Sequence, residues 1–138
     1  MNTCMRGFTL IELMIVVGII AIIVSLGYPS YREHVIKSHR AEGMGELLDL
    51  ADRLERFYSD RGTYAGATLG TAATDLRAAT TERGKYNLAI TAQDAVSFTL
   101  TATPQGPQAN DTKCGTLGLT SLGAKTTTGS LPADKCWK

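Results

Sequence analysis

The sequence lacks a surplus of charge of either sign. Its 138 residues include 14 Lys and Arg against 13 Asp and Glu, which leaves a formal charge of +1. A general nucleic-acid binder usually carries a clear basic excess, so this balance argues against that class. The length suits one compact domain and hardly suffices for two.

Motifs of enzymes and of metal or phosphate sites are also lacking. The sequence contains no H-E-x-x-H, no G-x-S-x-G and no paired-carboxylate site, so we expect no enzyme and no catalytic residues. The Gly-rich run 114–123 does not follow the order of a phosphate-binding loop. His34 and His39 lie five positions apart and far from the cysteines, so we expect surface histidines, no metal site and no cofactor.

One long apolar run stands near the start of the chain. Residues 8–28 contain a single charged side chain, that of Glu12. A helix of this length measures about 31 Å, which matches a hydrocarbon core of about 30 Å. A secretory signal peptide would have a shorter run and a small-residue cleavage site after it. We therefore predict a transmembrane helix with Arg6 in the cytoplasm and the remainder of the chain outside.

Glu12 is unusual within this run. A carboxylate inside an apolar span costs roughly 2.5–3.5 kcal/mol on insertion scales, and such a residue normally has a partner. Glu12 stands only four positions into the run, so it could equally lie at the headgroup level and stay hydrated. The residue taken alone leaves both interpretations open.

The segment R-G-F-T-L-I-E before the apolar run resembles the class III signal of type IV prepilins and of the related type II secretion pseudopilins. The resemblance implies that prepilin peptidase removes a leader peptide, residues 1–7, between Gly7 and Phe8. It also implies methylation of the new amino group of Phe8. Glu12 would then pair with the N-terminal amine of a neighbouring subunit, since each unpaired charge is costly in the membrane.

The chain from residue 30 onward has the pattern of an amphipathic helix, with apolar residues at steps of three or four. These residues are Tyr31, Val35, Met44, Leu47, Leu48, Ala51, Leu54, Phe57 and Tyr58. Gly62 suits a left-handed helix end, and Pro29 should kink the helix or open it locally. We predict a transmembrane or fibre-core helix over residues 8–28, an amphipathic helix over residues 29–61 and a globular head over residues 62–138.

Alternating patterns in the head predict a small antiparallel sheet. The predicted strands are residues 85–91, 96–102 and 116–120, with a turn at 92–95 and, before them, a loop at 63–84 that holds one short helical turn near 75–79. One face should bury Tyr86, Leu88, Ile90, Val96, Phe98 and Leu100. The amphipathic helix can cover that face, which gives an α+β fold in which a long N-terminal helix packs on the sheet. This is also the pilin fold that the resemblance implies.

Cys114 and Cys136 lie 22 positions apart, outside the membrane in the predicted topology. The segment between them contains few apolar residues. A disulfide would close this loop and contribute about 3 kcal/mol to the free energy of unfolding in the chain-entropy model. We therefore predict a disulfide that bounds the C-terminal region. The pattern C-G-x-L-x-L-x-x-L-G, with C-W at the end, resembles the disulfide-bonded tail of PilE-like minor pilins.

The resemblance implies a minor pilin of a type IV pilus that supports pilus biogenesis, twitching motility and adhesion. Its partners would be other pilin subunits, major and minor, together with prepilin peptidase and an inner-membrane assembly platform. The chain would reside in the bacterial inner membrane before assembly and in the surface pilus afterwards. A major pilin and a type II secretion pseudopilin are alternatives of the same architecture.

A pilin receptor for DNA uptake is a fourth interpretation. Four lysines and a tryptophan gather near the predicted disulfide, and affinity for DNA grows with the number of phosphates neutralised. They are Lys113, Lys125, Lys135, Lys138 and Trp137. Asp111 and Asp134 stand among them, and Trp137 could simply cap the core, so an ordinary surface is the better interpretation of the sequence alone.

Overall fold

The computed structural model describes residues 7–138 of the chain. The chain divides into two compact units, of which the first ends at Val35 and the second comprises Ile36–Lys138. A single helix, α1 (Leu10–Arg61), supplies residues to both units. Six of the seven residues predicted to form the leader peptide, residues 1–6, lie outside the described part of the chain.

The first unit consists of the N-terminal part of α1. Every described residue from position 7 to position 34 is exposed, including the whole apolar run. The described residues contain one helix that is long and apolar enough to cross a membrane, and it is this one. The helix continues through Pro29, and a kink at this residue stays a prediction.

The second unit has its core between α1 and the sheet. Leu47, Leu50 and Leu54 are fully buried, because their spacing of three and four residues places them on one side of the helix. Gly43 lets the Tyr86 ring approach the helix, since a Cβ atom there would lie 3.0 Å from it. Leu48, which directly follows Leu47 in the sequence, points away from this side, and its side chain is 53% exposed.

The helix ends where the sequence predicts. Gly62 adopts a φ of +69°, and its N–H donates to the carbonyl of Tyr58 at 2.7 Å. The predicted helical turn near 75–79 is wrong, because these residues form bends and no helix. Asp75 accepts hydrogen bonds from the Thr68 hydroxyl and the Ala72 N–H, and such side-chain bonds compete with helical ones.

The sheet has four antiparallel strands in the order β1-β2-β3-β4. They are β1 (Tyr86–Gln93), β2 (Phe98–Pro104), β3 (Leu117–Thr120) and β4 (Lys125–Thr127). A 3-10 helix, Gly106–Asn110, stands between β2 and β3, and a short helix, α2 (Ala133–Cys136), follows β4. The first three strands confirm the predicted sheet. We missed β4 because its three residues carry no apolar alternation.

The predicted buried face is correct except at one tip. Tyr86, Leu88, Phe98 and Leu100 are buried, and Ile90 packs against them. Val96 is 73% exposed, because it belongs to the turn rather than to a strand. Asp94 accepts hydrogen bonds from the N–H groups of Val96 and Ser97, which sets the turn at residues 94–97.

Candidate functional site

The predicted processing and assembly residues lie at the start of α1. Gly7 and Phe8 precede the helix, and the Phe8 side chain is 83% exposed. Glu12 is exposed as well, and its N–H lies 3.3 Å from the Thr9 hydroxyl. Thr9 thus caps the helix, and the spacing T-x-x-E is that of a capping box, which the sequence reasoning missed. Cleavage, methylation and amine pairing stay predictions.

A buried ion pair joins α1 to the C-terminal region. Arg40 donates from Nε and Nη2 to the carboxylate of Asp111, over distances of 2.8 to 3.0 Å. The two side chains are only 8% and 2% exposed, so Arg40 compensates the Asp111 charge inside the protein. The prediction that Asp111 stands among the surface lysines was therefore wrong.

Gln108 forms a second buried link between α1 and the sheet. Its Nε2 donates to the Tyr86 hydroxyl at 2.9 Å and to the Ile36 carbonyl at 3.1 Å. Its Oε1 lies 3.2 Å from Nδ1 of His39. His34 is exposed as predicted, whereas His39 is half-buried and bonded, contrary to the prediction of a plain surface residue. Burial is the main reason why the pKa of Tyr86 is raised above 10.0.

The predicted disulfide is confirmed. Cys114 and Cys136 are bonded, and both are buried beside the sheet. The Cys114 N–H also lies 3.3 Å from the Asp111 carboxylate, so the bridge and the ion pair are neighbours. Because Cys136 is the last residue of α2, the bridge holds this helix and the adjoining lysines against the head.

A cationic cavity lies between α1 and α2. Its volume is about 180 Å³. The residues that line it are Lys37, Arg40, Met44, Lys135, Cys136 and Lys138. Lys37 is three positions before Arg40, so both reach the same side of α1, almost one hundred positions from the other two lysines in the sequence. The sequence reasoning missed Lys37 for this reason.

Lys125 and Trp137 extend this surface to the edge of the sheet. The Lys125 ammonium lies 5.2 Å from the centre of the Trp137 ring, and the indole N–H donates to the Thr126 carbonyl at 3.3 Å. We call Lys37, Lys125, Lys135, Trp137 and Lys138 the basic strip. Lys135 lies 3.9 Å from Asp134, but both are well exposed and such a pair contributes little. Lys113 does not line the cavity.

The opposite side of α1 carries a different charge pattern. Arg77 forms ion pairs with Glu46 and Asp49, and Asp49 also accepts from Arg53 at 2.8 Å. Acids and bases therefore compensate one another there. No group of three or more described His, Cys, Asp or Glu residues could hold a metal ion.

Two family models match the chain. Residues 3–28 match the prokaryotic N-terminal methylation motif. Residues 29–118 match the model described as type IV minor pilin ComP, DNA uptake sequence receptor.

Two relatives with similar sequences are fimbrial proteins. The chain is 34% identical to fimbrial protein EcpC of Eikenella corrodens, over 71% of this chain and 61% of that protein. It is 36% identical to the type IV major fimbrial protein FimA of Dichelobacter nodosus, over 64% and 54%. The chain therefore spans less than two thirds of the length of either relative.

A solved structure has the same fold. The non-core minor pilin PilV of Neisseria meningitidis aligns with a TM-score of 0.54, over 70% of this chain and 90% of that one, at 23% identity.

Proposed function

Since this chain belongs to the type IV pilin family, we propose that it is a minor structural subunit of a type IV pilus. Two observations together carry the proposal: the apolar part of α1 is exposed, and the head has its own hydrophobic core. The description of the matching family model as a minor pilin supports the minor role. We further propose that the subunit serves pilus biogenesis, twitching motility and adhesion.

The exposed apolar run suits both environments that a pilin occupies. Lipid tails are as apolar as leucine side chains, so Leu, Ile and Val pack equally well against lipid and against neighbouring helices. A subunit can therefore wait in the bacterial inner membrane and pass into the fibre at a small net cost in free energy. An inner-membrane assembly platform would make this transfer directional.

We propose that prepilin peptidase cleaves between Gly7 and Phe8 and that the amine of Phe8 is then methylated. The exposure of both residues, just before the first turn of α1, supports access by the enzyme. Glu12 then pairs with the amine of the adjacent subunit. The capping contact of Thr9 supports this role, because it fixes the first turn, on which the Glu12 carboxylate is carried.

Quantitative mass spectrometry of fibres sheared from the cell surface tests the proposal. We expect a trace amount of this chain that begins at methylated Phe8. Dominance in the fibre would make it the major subunit, and processed protein that stays in the membrane would favour a type II secretion pseudopilin. A chain that still begins at Met1 would contradict the prepilin interpretation.

A second candidate function is that of a DNA receptor on the pilus, which the basic strip favours. The model that matches residues 29–118 describes such a receptor, and the buried position of Asp111 removes one charge that would oppose DNA. We expect a steep decrease of duplex affinity with salt and a loss of binding in Lys135→Glu and Lys138→Glu. No binding at low salt would exclude this function.

A further inference from the structure

We propose that the cationic cavity between α1 and α2 is a subsite for one phosphate group of a DNA backbone. This inference rests on the proposed receptor function and deepens it, because it assigns a position to one phosphate. It also gives a role to Lys37 of α1. This residue lies near Lys135 and Lys138 only in the folded chain.

The lining of the cavity is selective for anions. None of the described residues that line it is acidic, and four of the six carry a positive charge. The Asp111 carboxylate, which does not line the cavity, compensates the Arg40 charge, so the charges of Lys37, Lys135 and Lys138 are left to attract an oxyanion. Lysine binds phosphate as a point charge and needs no fixed geometry at the ligand, which suits a backbone read without regard to sequence.

The cavity is also held in shape before any ligand arrives. The bidentate bond to Asp111 fixes the Arg40 guanidinium, and the disulfide fixes Cys136 between Lys135 and Lys138. A site ordered in advance loses less conformational entropy when it binds. The volume of about 180 Å³ leaves room for a phosphate group and a few water molecules.

The position of the cavity at one end of the basic strip favours a polymer over a free anion. Trp137 and Lys138 follow Cys136 directly, and Lys125 lies against the Trp137 ring. Positive charge thus continues from α1 across α2 to β4. A single phosphate ion would engage the cavity alone, whereas a DNA backbone can place further phosphates along the strip.

The test is the salt dependence of duplex binding by the full chain in neutral detergent. Lys37→Gln and Lys138→Gln should each lower the slope of log affinity against log salt by about 0.9, since each removes one phosphate contact. The decrease of affinity between 50 and 200 mM salt should then be about 3.5-fold smaller in each variant. Lys37→Arg should restore the slope because it restores the charge.

Arg61→Gln is the matched control. It also removes one exposed positive charge from α1, about 36 Å along the helix from Lys37. We expect an unchanged slope for this variant. Equal melting temperatures of all variants will show that the fold is kept.

The outcomes separate the subsite from the receptor function. Failure of the unaltered chain to bind duplex at 50 mM salt overturns the receptor function and with it the subsite. Duplex binding with an unchanged slope in Lys37→Gln overturns the subsite alone. Inorganic phosphate that binds the unaltered chain but not Lys37→Gln, with equal duplex binding by both, overturns the assignment to DNA.

Discussion

The two parts of α1 differ in what surrounds them, although they form one helix. Up to residue 34 every described residue is exposed, and most of the side chains between residues 8 and 28 are apolar. From Arg40 to Leu54 the helix instead buries one side against the sheet. A helix that is apolar all round needs a lipid or helical partner from outside the chain, whereas an amphipathic one can complete a core. The head therefore has a hydrophobic core of its own, whereas the N-terminal part of α1 buries none of its apolar side chains within the chain.

The first prediction concerns the apolar part, where we expect the largest effect. Glu12→Val should insert into the membrane normally yet enter the fibre at least tenfold less, because the amine of its neighbour then has no partner. The measurement is the copy number in sheared fibres relative to the membrane pool.

Glu12→Gln distinguishes assembly from capping. Glutamine can keep the capping box but carries no charge. Pairing with an amine predicts that both variants fail, whereas incorporation of the Gln variant at the normal level would mean that Glu12 acts only as a helix cap.

The second prediction concerns the polar interior of the head. Arg40→Met should lower the free energy of unfolding by about 3–5 kcal/mol, because it leaves Asp111 charged and buried. Urea unfolding followed by Trp137 fluorescence measures this loss. Adding Asp111→Leu to the Arg40→Met chain should recover most of the lost free energy of unfolding. If Arg40→Met alone were as stable as the parent, water would have to reach Asp111.

The third prediction compares the two parts of α1 directly. Leu50→Ala should cost about 2–5 kcal/mol of head stability, because Leu50 is fully buried. Ile20→Ala should leave the unfolding of the head unchanged, since Ile20 is 54% exposed and belongs to the other unit. An equal loss of unfolding free energy in both variants would contradict the division of α1 into a part that belongs to the core of the head and a part that does not.

The smallest effect is expected from alkaline pH. Burial raises the pKa of Tyr86 in the folded head above its value of 10.0 in the unfolded chain. The protonated phenol therefore contributes stability that is fully present below pH 10 and decreases as the pH rises through the folded pKa. Urea unfolding between pH 9 and pH 11 should show this decrease, and Tyr86→Phe should show a shallower one. Equal slopes would exclude Tyr86 as the titrating group.

Much of the fold follows from short-range patterns in the sequence. Alternation predicted three strands, the step of three to four predicted most of the helix core, and Gly62 predicted the helix end. The failures also have local causes. Asp94 draws Val96 into the turn, and β4 has only three residues, so alternation cannot identify it.

The candidate site was less predictable, because distant segments build it. Arg40 and Asp111 lie 71 positions apart, and nothing in their spacing indicates that they meet. The same holds for Lys37, which joins Lys135 and Lys138 only after the head has folded. The sequence therefore pointed to the lysines near the disulfide, whereas only the folded structure shows that Lys37 of α1 lies beside them.

The indole of Trp137 affects whether heads can aggregate through the open edge of the sheet. β4 is the last strand of the sheet, and an open edge strand is a template for pairing with another chain. The indole N–H occupies the Thr126 carbonyl on that strand, and Lys125 places a charge beside it. Both features discourage edge-to-edge pairing of β4 with another chain, so neighbouring heads can lie close together without aggregating through their sheets.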